Sequence, residues 1–542
     1  MSGTKQQVTL VQDRAPPPDY YAQNLSVLVH FVLEQYHDLL DKSELDCAKA
    51  ILDISPDGLR LLARIVGRKG PVFFVNQMNY GEIDDRDAAL SELESRELIN
   101  TNPCLPADEL LARVTIPQLR SFFPSVPGVS PKSRLIESIV DSNTESSIRA
   151  KLQSKFPWFC LCQPEILDLF RLLFFGDRVS DFSSFVVRDL GIVEYESYSL
   201  NRRDRQFASR GELNTYLEWA SLSDAMHENE ESHTVDQADV YIEALSGDQK
   251  NRTIDRYRSR ILNSLGRILE RAECRRLAIK AYRRSNSHPA RERMVRVLYR
   301  SGRRQAAEVL QDRILENPWS REEEQFGKHF PSRRRRADKF VVDTVDIRES
   351  PAIPIEQHVL QHLCEDGTVG WHLENALPLT LFGLVYWDWV FASVPGAFTN
   401  PFQTAPRDLF WSEFIDARQR HCKDPVNSQV PLVTRVLETA ESKRGKANRL
   451  VSWDLFPDDR LERIVNALGE SSLIRLINSV KSDLRQFRSG FPDLTVIDEN
   501  GKIEFIEVKA PGDQIQRNQR IWLEELASID VPARVIRFVT PN

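Results

Sequence analysis

Long apolar runs, Cys-X-X-Cys pairs and a leader-like N-terminus are all missing from this sequence of 542 residues. No apolar run reaches the roughly 18 to 20 residues that a membrane-spanning helix needs. Residues 1–19 are polar and proline-rich, without the apolar centre of a secretion signal. The seven cysteines include no Cys-X-X-Cys pair, which argues for a reducing compartment and against a structural zinc site. We therefore expect neither a membrane protein nor a disulfide-stapled or zinc-bound module.

Net positive charge is also missing, since the formal charge at pH 7 is −7, and that value ordinarily argues against a nucleic-acid partner. The distribution of charge reverses this argument. Residues 251–340 contain more than twice as many Lys and Arg as Asp and Glu, and nothing acidic nearby balances the Arg-rich helices. This asymmetry favours one basic face that binds a polyanion, and a solvated Arg-rich helix pair is the alternative.

The length predicts several domains, and the apolar periodicity indicates where the predicted secondary structure changes along the chain. Helical spacing dominates up to about residue 345, whereas strands and helices mix after it. The predicted fold is therefore multi-domain, with mostly α-helical N-terminal regions and a C-terminal α/β domain. The predicted parts are a disordered tail at 1–18, a helical DNA-binding region at 19–105, a SAP-like helix–turn–helix module at 106–145, a helical domain with a basic face and tetratricopeptide-like hairpins at 146–345, and the α/β domain at 346–542.

Basic residues that could contact phosphates occur in each of these regions after the tail. Three of them, Arg64, Arg68 and Lys69, precede a short aromatic strand, a pattern that is equally typical of a solvated helix end. Further arginines lie within 202–210 and form the run Arg333–Arg336. This run could also be a nuclear localisation signal. The candidate DNA-binding residues are Arg64, Arg68, Lys69, Lys132, Arg256, Arg260, Arg485 and Arg488.

Two short apolar segments near the C-terminus, 490–497 and 503–509, predict a β-hairpin. Asn500-Gly501 lies between them, and this dipeptide favours the tight turn that joins two antiparallel strands. A helix over about 514–528 and a last strand around 535–539 follow. The predicted order is hairpin, helix, strand.

The tip of this hairpin gathers charged residues. A side-chain period of two places Glu507 and Lys509 on one face, and pairing of the strands brings Asp493 close to Glu507. Two carboxylates and an amine can bind Mg²⁺ or Mn²⁺ and place a positive group beside an attacking water, as phosphodiester hydrolysis requires. The alternative is an edge strand with a solvated Glu–Lys pair.

The apolar stretch after Gly370 is predicted to be a mostly buried helix with one carboxylate, Glu374, near its start. An unpaired buried charge is costly, and a cation shared with Asp493 and Glu507 would balance it. The alternative is an ordinary first-turn Glu that the helix dipole favours. Glu365 and Asp388 are the next candidates for a third carboxylate.

The pattern Pro492-Asp493, then Glu507-Val508-Lys509, resembles the PD-(D/E)XK nuclease motif, and Gln519 in the following helix resembles the VRR-NUC subgroup. More of the chain is similar to Fanconi-associated nucleases, which end in a VRR-NUC domain. The resemblance runs from about Tyr20 to the C-terminus and is carried by Tyr20-Tyr21, by Glu374 with the apolar run to Asp388, by Leu450–Asp454, by Gly490–Leu494, and by Glu507-Val-Lys with Gln519–Leu523.

This resemblance implies a 5′-flap endonuclease and 5′→3′ exonuclease of interstrand cross-link repair, with a restriction-endonuclease-like α/β domain. It implies that Glu374, Asp493, Glu507 and the carbonyl of Val508 bind one or two Mg²⁺ or Mn²⁺ ions and that Lys509 is catalytic. Gln519 joins the candidate DNA-binding residues, whereas Asn518 stands where relatives often carry a basic residue. The implied partner is branched or 5′-flap duplex DNA.

Three alternatives remain open from the sequence. They are a Holliday-junction-type resolvase, a DNA-binding scaffold with a decayed nuclease site, and a tetratricopeptide adaptor for proteins. A ubiquitin partner is not expected, because no Cys/His cluster resembles the ubiquitin-binding zinc finger of animal relatives. The expected location is the bacterial cytoplasm with the nucleoid, or the nucleus in a eukaryote.

Overall fold

The computed structural model describes residues 19–539, with gaps at 69, 102, 104, 125, 127–130, 179, 181–193, 229–230, 248, 332–341, 347–352, 365–366 and 511. The chain divides into two compact units, residues 1–193 and residues 194–542. Among the described residues, no helix has the length and apolar character needed to cross a membrane. The predicted tail at 1–18 and the run Arg333–Arg336 lie outside the described residues.

The first unit is mostly helical, as predicted. Its helix starts follow local capping chemistry: Asp41 and Glu44 form a capping box that satisfies free N–H groups at the start of Lys42–Leu52. The strands β1 (Val72–Phe74), β2 (Ile99–Asn100) and β3 (Trp158–Leu161) form an antiparallel sheet in the order β1–β3–β2. The α-helices are Tyr20–Tyr36, Lys42–Leu52, Pro56–Val66, Arg86–Ser95, Ala107–Arg113, Ile116–Phe122, Lys132–Ser142, Glu145–Lys155 and Pro164–Phe175.

The second unit begins with a series of helices, and from Arg252–Arg271 to Arg321–His329 each helix packs on the next one along the chain. Leu262, Leu265 and Leu269 repeat at helical spacing and are fully buried, so the apolar face predicted for this region is its core. After β4 (Glu194–Tyr195), the α-helices are Arg210–Glu228, Glu231–Asp236, Ala238–Ala244, Arg252–Arg271, Arg275–Arg284, Ala290–Arg300, Arg304–Glu316 and Arg321–His329.

A five-stranded sheet lies at the centre of the remaining part of the second unit. Its strands are β5 (Val342–Asp346), β6 (Val369–His372), β8 (Leu494–Ile497), β9 (Ile503–Lys509) and β10 (Ala533–Val539). They lie in the order β5–β10–β9–β8–β6. The pairs β6/β8 and β8/β9 are antiparallel, and β9/β10 and β10/β5 are parallel. A separate short strand, β7 (Lys446–Ala447), pairs in parallel with β4.

The predicted hairpin, helix and last strand are confirmed in β8, β9, the helix Arg517–Ser528 and β10. At the turn, Gly501 adopts φ +76° and its N–H donates to the carbonyl of Asp498. The other α-helices of this part are Ile355–Leu363, Ala376–Val385, Trp387–Val390, Phe414–Gln419, Leu432–Lys443 and Asp458–Ser482, the last of which breaks at Gly469. The described 3₁₀ turns of the chain are His37–Leu39, Val75–Gln77, Arg202–Asp204, Pro425–Asn427 and Trp453–Leu455.

The helix predicted to begin after Gly370 starts later than expected. Residues 369–372 are extended and pair with β8, because backbone hydrogen bonds to a neighbouring strand override the local helical pattern. The helix begins at Ala376. Glu374 therefore lies in the turn between strand and helix, with φ +42°.

Gly490 brings the start of the hairpin against the N-terminus of the last helix. It is buried with φ +92°, and a Cβ atom there would lie 2.6 Å from the backbone carbon of Asn518 and 2.8 Å from the Gln519 nitrogen. Only glycine combines this conformation with such a close backbone approach. Gly490 thus fixes the segment that leads into Asp493.

Gly490→Ala should destabilise the protein by about 2–5 kcal/mol, because it adds a backbone clash to the cost of a left-handed conformation. Gly501→Ala is the matched control, since Gly501 has a similar φ of +76° but nothing within 4 Å of the added Cβ. We expect the control to cost only about 1–2 kcal/mol. Urea denaturation measures both changes, and equal costs would contradict the proposed packing role of Gly490.

Candidate active site

The register of the hairpin brings the predicted carboxylates together. Leu494 pairs with Ile506 across β8 and β9, so Asp493, one residue before Leu494, lies opposite Glu507. The backbone N–H of Val508 donates to Asp493 Oδ2 at 2.8 Å and holds this carboxylate against β9. The predicted proximity of Asp493 and Glu507 therefore follows from strand pairing.

Glu507 is a fully buried carboxylate, and Lys509 is buried beside it. Lys509 Nζ lies 2.6 Å from Glu507 Oε1. Lys509 is the partner of this carboxylate, and among the described residues no other group donates a hydrogen bond to either of its oxygens. A fully buried carboxylate with so few partners is energetically costly and is suited to an additional cation.

Burial also shifts the proton affinity of both carboxyl groups. Burial and, after it, the charge of Asp493 raise the pKa of Glu507 to about 7, although Lys509 partly opposes the shift. Burial raises the pKa of Asp493 as well, against the opposing hydrogen bond from Val508. Two neighbouring buried carboxyl groups therefore resist full ionisation in the protein alone.

The structure places Glu374 near this pair but corrects the argument that selected it. The carboxylate is not in a buried helix: 48% of its side chain is exposed, and it has a partner, since His372 Nε2 lies 2.8 Å from its Oε1. The backbone N–H of Glu374 donates to the carbonyl of Asp493 at 3.2 Å. Glu374 reaches the site through the pairing of β6 with β8.

His372 was missed by sequence reasoning. It ends β6, where its partner on β8 is Leu494, the neighbour of Asp493. One ligand atom each of His372, Glu374 and Asp493 lies within 4.8 Å of the others, a spacing that could hold a metal ion. The spacing of two residues between His372 and Glu374 was the available indication, but it has meaning only for an extended chain, and this segment was predicted to be helical.

The donor set fits a hard divalent cation such as Mg²⁺ or Mn²⁺. Glu374 and Asp493 supply carboxylate oxygens within one cluster, and Glu507 lies outside that cluster but opposite Asp493 across the paired strands. For Val508 the structure gives the N–H bond to Asp493, and metal binding by its carbonyl stays a prediction. Of the two reserve candidates, Glu365 lies outside the described residues, and Asp388 is exposed and is not part of the cluster.

Four of the predicted DNA-binding residues are engaged in other contacts or lie outside the described residues. Arg64 is paired with Glu82, and its guanidinium lies 3.8 Å from the centre of the Tyr21 ring. The Lys132 ammonium donates to the carbonyl of Ala112. The Gln519 side chain accepts the N–H of Gln516 at 2.9 Å and caps the last helix. Lys69 lies outside the described residues.

The remaining predicted residues carry charge that no ion pair of the described residues neutralises. Arg68 stacks over Tyr80, and Arg260 stacks over Tyr257. Arg488 is exposed and lies over Phe410. Arg256 stacks over Trp411; burial lowers its pKa, Glu413 opposes this shift, and the nearby Arg485 and Arg252 add to it. Arg256, Arg252 and Arg485 thus bring positive charge near the segment that leads to Asp493, with Glu413 also close by.

Among the described residues of 251–340, fewer basic side chains lack an acidic partner than the sequence suggested. The expectation that nothing acidic balances this region is wrong, because acidic residues from neighbouring helices pair with many of its arginines and lysines. Counting residues along the chain cannot detect pairs formed between helices. The ion pairs include Arg271–Glu231, Lys280–Asp239, Arg284–Glu243, Arg293–Glu270, Arg300–Glu270 and Arg291–Glu323.

Comparison with known proteins matches both ends of the chain. The model of the VRR-NUC domain matches residues 431–539, and that of the FAN1 HTH domain matches residues 19–100. The chain is 29% identical to the Fanconi-associated nuclease 1 homolog of Pseudomonas aeruginosa over 96% of each protein. It is 27% identical to the Arabidopsis thaliana homolog, covering 94% of this chain and 65% of that protein.

A solved structure agrees with these matches. The crystal structure of paFAN1 bound to 2-nt 5′-flap DNA with a gap has a TM-score of 0.84 and 27% sequence identity to this chain. The similarity covers 98% of this chain and 100% of that one. With two domain matches at its ends, a similar fold throughout and the predicted carboxylates gathered around β6, β8 and β9, the chain is similar over nearly its whole length to Fanconi-associated nucleases, and residues 431–539 match their VRR-NUC domain.

Proposed function

We propose that this chain is a metal-dependent, structure-specific DNA nuclease that cuts 5′-flap and related branched duplexes and degrades DNA in the 5′→3′ direction. The observation that carries the proposal is the meeting of Asp493, Glu507 and Lys509 at one end of a buried hairpin, with Glu374 beside them. The 5′-flap DNA bound by the similar solved structures supports the substrate class. Interstrand cross-link repair is the corresponding role.

Asp493, Glu507 and Glu374, with the carbonyl of Val508, would hold one or two Mg²⁺ or Mn²⁺ ions. Such an ion, when bound, activates water and stabilises negative charge on a phosphodiester. Lys509 lies beside Glu507 and would orient or deprotonate the attacking water and offset charge that develops on the phosphate oxygens. The products would carry a 5′-phosphate and a 3′-hydroxyl.

The basic residues without acidic partners support a path for DNA. Arg256 and Arg260 lie on one face of the helix Arg252–Arg271, and Arg256 lies near Arg485, eight residues before Asp493. These arginines would bind phosphates, which positions a duplex without determining its sequence. The SAP-like module and the tetratricopeptide-like hairpins remain part of this proposal, as does action on the nucleoid of a bacterial cell.

Two alternatives differ in measurable ways. A scaffold with a decayed site is disfavoured because Glu374, Asp493, Glu507 and Lys509 are all present and lie near one another. A Holliday-junction-type resolvase ordinarily acts as a dimer, so the solution mass of the protein with and without DNA separates it from a flap nuclease. Cleavage of a labelled 5′-flap duplex with Mg²⁺ or Mn²⁺, compared with EDTA, tests the proposed reaction directly.

Glu507→Gln should lower the rate of flap cleavage by at least about 10²- to 10³-fold, because it removes a charge that binds the metal. Flap binding should remain nearly unchanged, since most phosphate contacts lie elsewhere. Glu504→Gln is the matched control: it lies on the same strand but pairs with Arg534 at 3.1 Å. Single-turnover rates and binding by fluorescence anisotropy check both variants, and parallel loss of binding and cleavage would show a structural role for Glu507.

Glu374→Gln should reduce cleavage strongly while changing the stability without metal by no more than about 0.5 kcal/mol, because the side chain is half exposed. The control is Asp388→Asn, a carboxylate outside the cluster, which should cleave normally. Cleavage rates at several Mg²⁺ concentrations and thermal unfolding are the measurements. Normal cleavage by the Glu374 variant would require a different third carboxylate.

Replacing Arg260 and Arg267 by Ala should reduce the salt dependence of duplex binding by up to about two units in log affinity against log salt, since each neutralised phosphate contributes about 0.9. Both residues are exposed and form no ion pair among the described residues. All duplex sequences should weaken about equally. Titrations at several salt concentrations measure the slope.

The control for this experiment removes the same formal charge from arginines that already have acidic partners. Arg271 and Arg300 have side chains 61% and 66% exposed and pair with Glu231 and Glu270. Their replacement should leave the slope nearly unchanged. An equal effect of both double variants would mean that binding responds only to net charge, and no effect of either would move the DNA path to Arg68 and Arg488.

A further inference from the structure

His372 makes a contact that the proposed mechanism does not use. It ends β6, and its Nε2 lies 2.8 Å from Glu374 Oε1. The side chain is 42% exposed, so the contact is not forced by close packing in a core. Both residues belong to the cluster with Asp493 whose ligand atoms lie within 4.8 Å of one another.

Glu374 is the member of this cluster that most needs to be held. Asp493 is fixed by the N–H of Val508, and Glu507 is fixed by burial and by Lys509. Glu374 is itself a turn residue with φ +42°, its side chain is half exposed, and His372 is the one hydrogen-bond partner of that side chain among the described residues. A half-exposed Glu without this contact would be free to occupy several rotamers, and binding an ion would have to select one of them.

We propose that His372 is a positioning residue that fixes Glu374 for metal binding. Its ring N–H donates to Glu374 Oε1 and selects one orientation of the carboxylate, which leaves the second oxygen free for the ion. A hydrogen bond from a neighbouring group to a carboxylate ligand orients that ligand and strengthens metal binding. The inference rests on the proposed function, because it assigns Glu374 to the metal site.

The test compares the Mn²⁺ affinity of the full chain without DNA, by isothermal titration calorimetry, among three variants and the unchanged protein. His372→Ala should weaken Mn²⁺ binding about 10- to 100-fold. His372→Gln keeps an N–H donor at similar reach and should restore most of the affinity. His362→Ala, which alters an exposed histidine outside the cluster, should match the unchanged protein.

A second measurement follows flap cleavage as Mn²⁺ is varied. His372→Ala should raise the Mn²⁺ concentration for half-maximal cleavage more than it lowers the maximal rate. Unchanged Mn²⁺ affinity in His372→Ala would overturn the inference, and so would a Gln variant as weak as the Ala variant, which would make the ring nitrogen itself a ligand. If the unchanged protein binds Mn²⁺ and follows the expected order but cuts no branched DNA, the positioning role stands and the proposed function fails.

Discussion

Antiparallel pairing of β8 with β9 in one register is the interaction on which the site depends. With Leu494 opposite Ile506, Asp493 lies beside Glu507, and the Val508 N–H reaches the Asp493 carboxylate. A shift of one residue would turn Glu507 and Lys509 to the other face of the sheet and separate the charged groups. Phe505 shares a face with Glu507 and is fully buried in the core, so the same shift would also remove its aromatic ring from that core.

The same register lowers the stability of the folded protein at the site. Glu507 and Lys509 form a buried ion pair, and desolvation of such a pair is seldom fully repaid by attraction between its members. The raised pKa of Glu507 expresses this cost. The second unit also has a large apolar core, in which Trp389 and Trp522 are almost fully buried, and this core can support a local arrangement that is unfavourable by itself. The candidate site thus lies in a stable scaffold and lowers its local stability.

The local parts of this structure were predictable from the sequence, and the parts that depend on contacts between distant segments were not. The hairpin, the last helix and β10 follow from turn residues and periodicity, so Asp493, Glu507 and Lys509 could be selected. Glu374 was selected through burial in a helix, although it is half exposed in a turn. The extended conformation of 369–372 arises from pairing with β8, and that pairing also makes His372 a neighbour of the cluster.

The charge of residues 251–340 also depends on contacts between distant segments, which the sequence does not reveal. Composition correctly identified an arginine-rich region, but Glu231, Asp239 and Glu243 come from helices that precede it in the chain. Only the folded arrangement shows which cations remain unpaired. Residues such as Arg260 and Arg488 then become better candidates for phosphate contacts than Arg64, whose charge is balanced by Glu82.

The sheet order has a consequence for where this nuclease domain can be cut from the chain. Residues 431–539, which match the VRR-NUC model, contain β8, β9 and β10 but neither of the outer strands. Removing β5 and β6 would expose the backbone of β10 along one border and that of β8 along the other, and bare strand borders promote self-association. The excised piece would also lack Glu374. The stretch recognised by sequence comparison is therefore smaller than the cooperative folding unit, whose borders are closed by segments that begin about ninety residues earlier.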